Sequence, residues 1–270
     1  MLAAAAIGYA ALVLVVYCLQ DRLLYHADRE VISTPHDAGL SYEAITFKAS
    51  DDVDLSGWYV PSRGAATVVL FCHGNEGNLS GTLRQVRLFS RIGVNAFFFD
   101  YRGFGNSGGE LSEDGTYRDA EAAWNFLTGK KKIPAERIVI AGESLGGAVA
   151  AWLAGRHNPA ALILDSTFTS LPDLLGQRYP YLPLKHILQF RYSTCDFLPD
   201  VKCPVLIIHS CDNKIVPYSH GCRLYDLAPG DKEFLEVRGG SENGSLAPGD
   251  SYAAGIKEFL TGHVKCLSPE

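Results

Sequence analysis

The run Ile138-Val139-Ile140-Ala141-Gly142-Glu143-Ser144-Leu145-Gly146-Gly147 restricts the fold of this chain more than any other stretch. Its first part is the β-branched, wholly apolar sequence of a strand buried on both faces. Ala148-Val149-Ala150-Ala151-Trp152-Leu153-Ala154 then continues at helical composition. Between them lies only Gly-Glu-Ser-Leu-Gly, so the strand must turn straight into the helix. That junction is the unit of a parallel α/β sheet. A Gly-x-Ser-x-Gly placed there has the form of a nucleophile elbow, in which small flanking residues let the backbone take a strained turn that lifts the serine hydroxyl above the sheet. Ser144 is therefore the candidate nucleophile.

The remaining strands fall into place around it. Residues 41–47 and 53–59 alternate in polarity about Ser50-Asp51-Asp52 and predict an antiparallel hairpin. Continuous apolar runs at 67–72, 95–100, 161–165, 204–209 and 233–237 predict buried strands, with a helix from about Tyr117 to Leu127. The expected fold class is α/β, with about eight strands in a mostly parallel sheet and helices on both faces. With 47% apolar residues, the 270-residue chain can bury one sizeable core. A net charge of −6 without basic clustering argues against a nucleic-acid partner. The seven cysteines are an odd number without a CxxC pair, which points to neither a disulfide framework nor a zinc site, and no cofactor is called for.

Leu2 to Cys18 carry no charge and end at Gln20-Asp21-Arg22. At about 1.5 Å per residue this run just crosses a hydrocarbon core of about 30 Å. The alternative is a cleaved signal peptide, but there is no basic n-region and no Ala-x-Ala-like site. The expected organisation is a membrane anchor over 1–20, a linker over 21–39 and one domain over 40–265. The flanking charges set orientation only weakly, with a cytoplasmic domain as the expectation. Between Thr167 and Val201, Pro172, Pro180, Pro183 and Pro199 interrupt the α/β pattern amid several aromatics. This segment reads either as a short cap over the site or as a helix and loop covering the sheet edge. In both cases its brevity predicts a shallow, open acyl pocket.

Two further sequences bear on chemistry. His73-Gly74-Asn75-Glu76-Gly77-Asn78 follows the first long strand, where backbone N–H groups can approach a substrate. With the elbow, it gives a candidate oxyanion hole made of the N–H groups of Leu145 and Asn75. The set Asp100-Tyr101-Arg102-Gly103-Phe104-Gly105-Asn106-Ser107-Gly108-Gly109, Tyr117-Arg118-Asp119-Ala120, the elbow, and Thr167-Phe168-Thr169-Ser170 resembles the membrane-anchored α/β hydrolases related to yeast bud-emergence protein and the depalmitoylases. The resemblance implies the α/β-hydrolase fold and a serine hydrolase acting on carboxylic ester or thioester bonds of small or lipid-like acyl substrates, with triad order Ser, Asp, His.

Carried over residue by residue, that pattern breaks twice. The acid position, in His209-Ser210-Cys211-Asp212-Asn213-Lys214-Ile215-Val216-Pro217, is Asn213, with Asp212 beside it. The base position, in Gly239-Gly240-Ser241-Glu242-Asn243, is Ser241. A hydroxyl cannot accept a proton near neutral pH as imidazole does. Removing such a histidine costs about 10⁶ in turnover, so weak or absent activity is expected. His209 and His73 are read as structural residues bonding their own loops, His220 and His263 as helix-surface residues, and Glu242 as a poor substitute base. Two functional readings remain: a serine hydrolase scaffold, or a non-catalytic protein that binds acyl groups or a partner.

Overall fold

The computed structural model describes residues 1–238 and 250–264. Ser241 and Glu242 lie outside the described residues. Eight strands form one sheet: β1 Glu43–Lys48, β2 Asp54–Val60, β3 Val68–Cys72, β4 Asn95–Phe99, β5 Ile138–Glu143, β6 Ala161–Asp165, β7 Val205–Ser210 and β8 Lys232–Val237. Their order is β8-β7-β6-β5-β3-β4-β2-β1. The first two strands are the expected hairpin, Glu43 opposite Tyr59 and Lys48 opposite Asp54, and β2 is antiparallel to β4. All other neighbours are parallel. The strand that carries the elbow, β5, thus sits inside the sheet.

Side-chain alternation along these strands divides the core into two layers. Leu70, Phe97, Ile140, Leu162 and Ile207 face the helices α3 (Glu113–Asn125) and α4 (Leu145–Arg156). Val69, Phe98, Val139, Ile163 and Leu206 face α2 (Leu83–Ile92) and α9 (Asp250–His263). Each such fully buried side chain contributes about 1.5–3 kcal/mol of transfer free energy. Helix α3 starts at Glu113 rather than near Tyr117, because the Ser112 hydroxyl accepts the Gly115 N–H at 3.1 Å while Glu113 and Asp114 occupy the positive first turn.

The glycine-rich Asp100–Gly109 stretch ties this frame together. Arg102 donates to both Asp119 oxygens and, through its other arm, to Asp51 at 2.8 Å. The Ser107 hydroxyl donates to the Asp100 carbonyl at 2.7 Å and accepts the Ser56 N–H at 3.0 Å. Gly115 is required beside Arg102, since any side chain there would overlap the guanidinium stem. The motif that carries much of the family resemblance therefore braces the loop after β4 against the hairpin and α3.

The segment between β6 and β7 holds three short helices, α5 (Leu171–Arg178), α6 (Leu184–Ile187) and α7 (Thr194–Phe197). Helix α8 (Tyr218–Leu227) follows β7. At the amino end, α1 runs from Leu2 to Leu24, four residues past the expected end of the apolar anchor, with mean hydropathy 2.4 over its apolar window. It is long and apolar enough to cross a membrane. Its inner stripe is fastened to the body: Tyr9 Oη donates to the Tyr181 carbonyl at 2.8 Å, and Gln20 Oε1 accepts the Gln189 N–H at 2.7 Å. Just beyond it, buried Tyr25 shares a 2.6 Å hydrogen bond with Tyr192.

Candidate active site

Ser144 has φ 53° and ψ −121°, a backbone conformation that L side chains rarely adopt. Three contacts hold it there. Its N–H donates to the Asp165 carbonyl at 3.0 Å, and its carbonyl accepts the Gly147 N–H at 3.0 Å and the Thr167 hydroxyl at 2.6 Å. The flanking glycines answer to packing. A side chain on Gly146 would overlap the Cys72 and His73 carbonyl oxygens, and one on Gly142 would overlap the Gly146 carbonyl. The elbow is thus pressed directly onto the end of β3.

That pressure brings the next loop to the serine. A methyl group on Gly74 would lie 3.7 Å from Ser144 Cβ. Asn75 is pinned from both ends: its side-chain amide donates to the Leu24 carbonyl at 2.5 Å, and its own carbonyl accepts the His26 N–H at 2.9 Å. Leu145 is the first residue of α4, so its N–H has no partner within the helix. His73 Nδ1 bonds the Gly74 carbonyl at 2.7 Å and must therefore carry the proton. Burial pushes the His73 pKa down to about 4, which keeps this ring neutral.

Two cavities meet at Ser144. The first, of about 410 Å³, is lined by polar groups that include His73, Asn75, Gln85, Glu143 and Asn213. Glu143 shares a register position with Asp165 on the neighbouring strand. Burial and the Asp165 charge push its carboxyl up to about 7, and Gln85 Nε2 donates to it at 2.5 Å. Tyr252 donates its hydroxyl to Asp165. The motif reading treated the residue before the serine as arbitrary, although a carboxylate there was visible in Gly-Glu-Ser.

The structure brings Ser144, Asn75 and Asn213 to this one cavity, while Leu145 lines the second cavity. Asp212 does not line it; its N–H lies 3.2 Å from the Ser210 hydroxyl. Asn213 Oδ1 accepts two N–H groups of its own loop, from Ile215 and Val216, each at 2.9 Å. That oxygen is committed, and the remaining Nδ2 can only donate. His209 is fully buried and donates from Nε2 to the Val216 carbonyl at 2.9 Å, in keeping with a structural role. His220 corrects the expectation of a surface position: it is buried on the inner face of α8, with Nδ1 accepting from the Thr169 hydroxyl at 2.9 Å.

The second cavity, also about 410 Å³, is apolar. It starts at Ser144 and Leu145 and runs between α1 and the 171–190 segment, with Leu12, Val16, Leu171 and Leu175 among its walls. The segment by itself would leave a shallow pocket of the kind expected from its length; α1 supplies another side.

Comparison with known proteins accords with this geometry. The profile of the α/β hydrolase fold matches residues 67–185. An uncharacterised protein of Mycobacterium tuberculosis is 34% identical over 252 residues, covering 92% of this chain and 90% of its own length. The Arabidopsis thaliana α/β hydrolase domain-containing protein WAV2 is 36% identical over 215 residues, 72% of this chain and 69% of that one. An uncharacterised membrane protein of Saccharomyces cerevisiae is 29% identical over 255 residues, 90% of this chain and 89% of its own. Among solved structures, the Pyrococcus furiosus esterase Pf2001 superposes with TM-score 0.74 at 20% identity, covering 89% of this chain and 98% of that one. The chain belongs to the α/β-hydrolase family.

Proposed function

We propose that this chain is a membrane-tethered serine hydrolase scaffold for acyl esters or thioesters, with Ser144 as nucleophile. The observation that carries the reading is the strained Ser144 backbone at the meeting point of two cavities. In the reaction Ser144 Oγ would add to the acyl carbonyl while its proton passes to a base. The Leu145 and Asn75 N–H groups would hold the resulting oxyanion. Collapse would break the bond to the leaving group, which takes up the proton, and water would then release the acid.

The proton relay is the weak part of this scheme. With Asn213 at the acid position and Ser241 at the base position, turnover is expected to be weak. Labelling by a fluorophosphonate, compared between the parent and Ser144→Ala, tests the nucleophile. Equal labelling of the two would exclude a reactive Ser144.

The second reading is a protein that binds acyl groups or a partner without turning them over. It is favoured by the commitment of Asn213 Oδ1 to its own loop. Hydrolysis of short nitrophenyl esters that disappears in Ser144→Ala would exclude it.

A further inference from the structure

We infer that α1 is a wall of the acyl-binding groove as well as an anchor, and that the groove takes one long acyl chain of a membrane lipid ester that enters from the leaflet alongside this helix. The first support is the composition of the two faces of α1. A helix that only anchors would show lipid an apolar surface and leave its inner side to the protein. Here Val13, Val16, Gln20 and Leu24 form an inward stripe at helical spacing that is less exposed than its surroundings. Leu14 and Val15, 61% and 52% exposed, point outward. The inward stripe does not close on the opposite side chains. Between Val16 and Leu175 the apolar cavity stays open down to Ser144 and Leu145.

Polar groups near the groove are accounted for in ways that suit a hydrocarbon ligand. The Gln20 carboxamide is spent on the backbone of residues 17 and 189, and that of Asn75 on Leu24. Glu76 and Arg178 are exposed. An acyl chain would therefore displace no required hydrogen bond, which is the composition that favours apolar ligands. Tyr179 and Tyr181, 38% and 62% exposed, flank the groove beside Tyr9, and amphipathic rings of this kind settle at a membrane interface. Both tyrosines and α1 line the same groove, and the outer face of that helix is apolar and exposed, so lipid would cover it. A chain could pass from leaflet to groove without crossing water.

The placement of the ester carbonyl rests on the reading of Ser144 given above, but occupancy of the groove needs no turnover. The test uses the full chain in lipid nanodiscs with methyl palmitate carrying a mid-chain diazirine, irradiated and mapped by peptide mass spectrometry. Adducts are expected at Val16 and Leu175. They should fall at least tenfold in Val16→Trp and in excess unlabelled methyl palmitate, and stay unchanged in Leu14→Trp and in excess methyl acetate. Adducts confined to Leu14 and Val15, or undiminished by methyl palmitate, would overturn the inference without relying on any variant's folding. Fluorophosphonate labelling of Ser144 is read in parallel. Ser144 labelling without groove adducts removes the groove alone; groove adducts without Ser144 labelling remove the hydrolase reading and leave the groove.

Discussion

The two cavities that meet at Ser144 have the same volume and opposite character. The polar one gathers the Glu143 carboxyl, the neutral His73 ring and the committed amides of Asn75, Gln85 and Asn213. The other has leucine and valine walls contributed by elements far apart in the chain. Polar groups brought together in a low-dielectric space are costly and keep their places only when each is satisfied. Apolar walls tolerate substitution of similar volume. A defect in chemistry is therefore expected on the polar side and a change of substrate on the apolar side.

The sharpest way to break this contrast is to repair the polar side. Asn213→Asp should preserve the loop, since Oδ1 keeps the Ile215 and Val216 N–H groups while Nδ2 becomes a second acceptor. Combined with Ser241→His, it should raise kcat for nitrophenyl acetate by about 10³ or more, because the full triad is worth about 10⁶. No rise in Ser144-dependent turnover would mean that this side lacks more than a relay.

Next in size is the joint between the elbow and β3, behind the serine at which both cavities meet. Gly146→Ala forces a methyl group onto two backbone carbonyls that cannot give way. Urea denaturation should report a loss of about 3 kcal/mol or more. A smaller loss would show that the elbow can separate from β3.

The pH dependence of stability separates the two sides further. Below about pH 4.5 the Glu143 carboxyl is protonated both folded and unfolded. Between there and about 7 the unfolded chain ionises while the folded one keeps its proton, so stability falls as pH rises through this window. Buried His209 and His220, whose pKa values burial lowers, act in the opposite sense as pH falls below the ordinary histidine range. The difference between Glu143→Gln and parent isolates the carboxylate. The variant should match the parent near pH 4.5 and exceed it by about 3 kcal/mol at pH 8. The smallest effect belongs to Thr167→Val, which removes the hydrogen bond to the Ser144 carbonyl and should cost about 1 kcal/mol in the same assay.

Legibility in the sequence followed the same division. The strands could be read because a doubly buried strand is spelled as an unbroken apolar run, and the elbow because Gly142 and Gly146 are forced by contact. Ser144, Asn75 and Asn213, which line one cavity, were candidates by position along the chain alone. The start of α3 was misplaced because Ser112 capping outweighs the later onset of apolar periodicity. His220 was misassigned because Thr169, which satisfies its ring, lies 51 positions away. The groove was invisible for the same reason on a larger scale, since Tyr9 and Tyr181 are 172 positions apart. Chemistry that depends on neighbours in sequence can be read from it; pockets that depend on docking cannot.

The glycines of the elbow have a consequence for inheritance. Gly142 and Gly146 are demanded by the packing of α4 on β3 and β5, whatever Ser144 does. Selection for folding alone would keep them after catalysis was lost, so a surviving Gly-x-Ser-x-Gly in a descendant of this chain records an intact joint and not a working nucleophile.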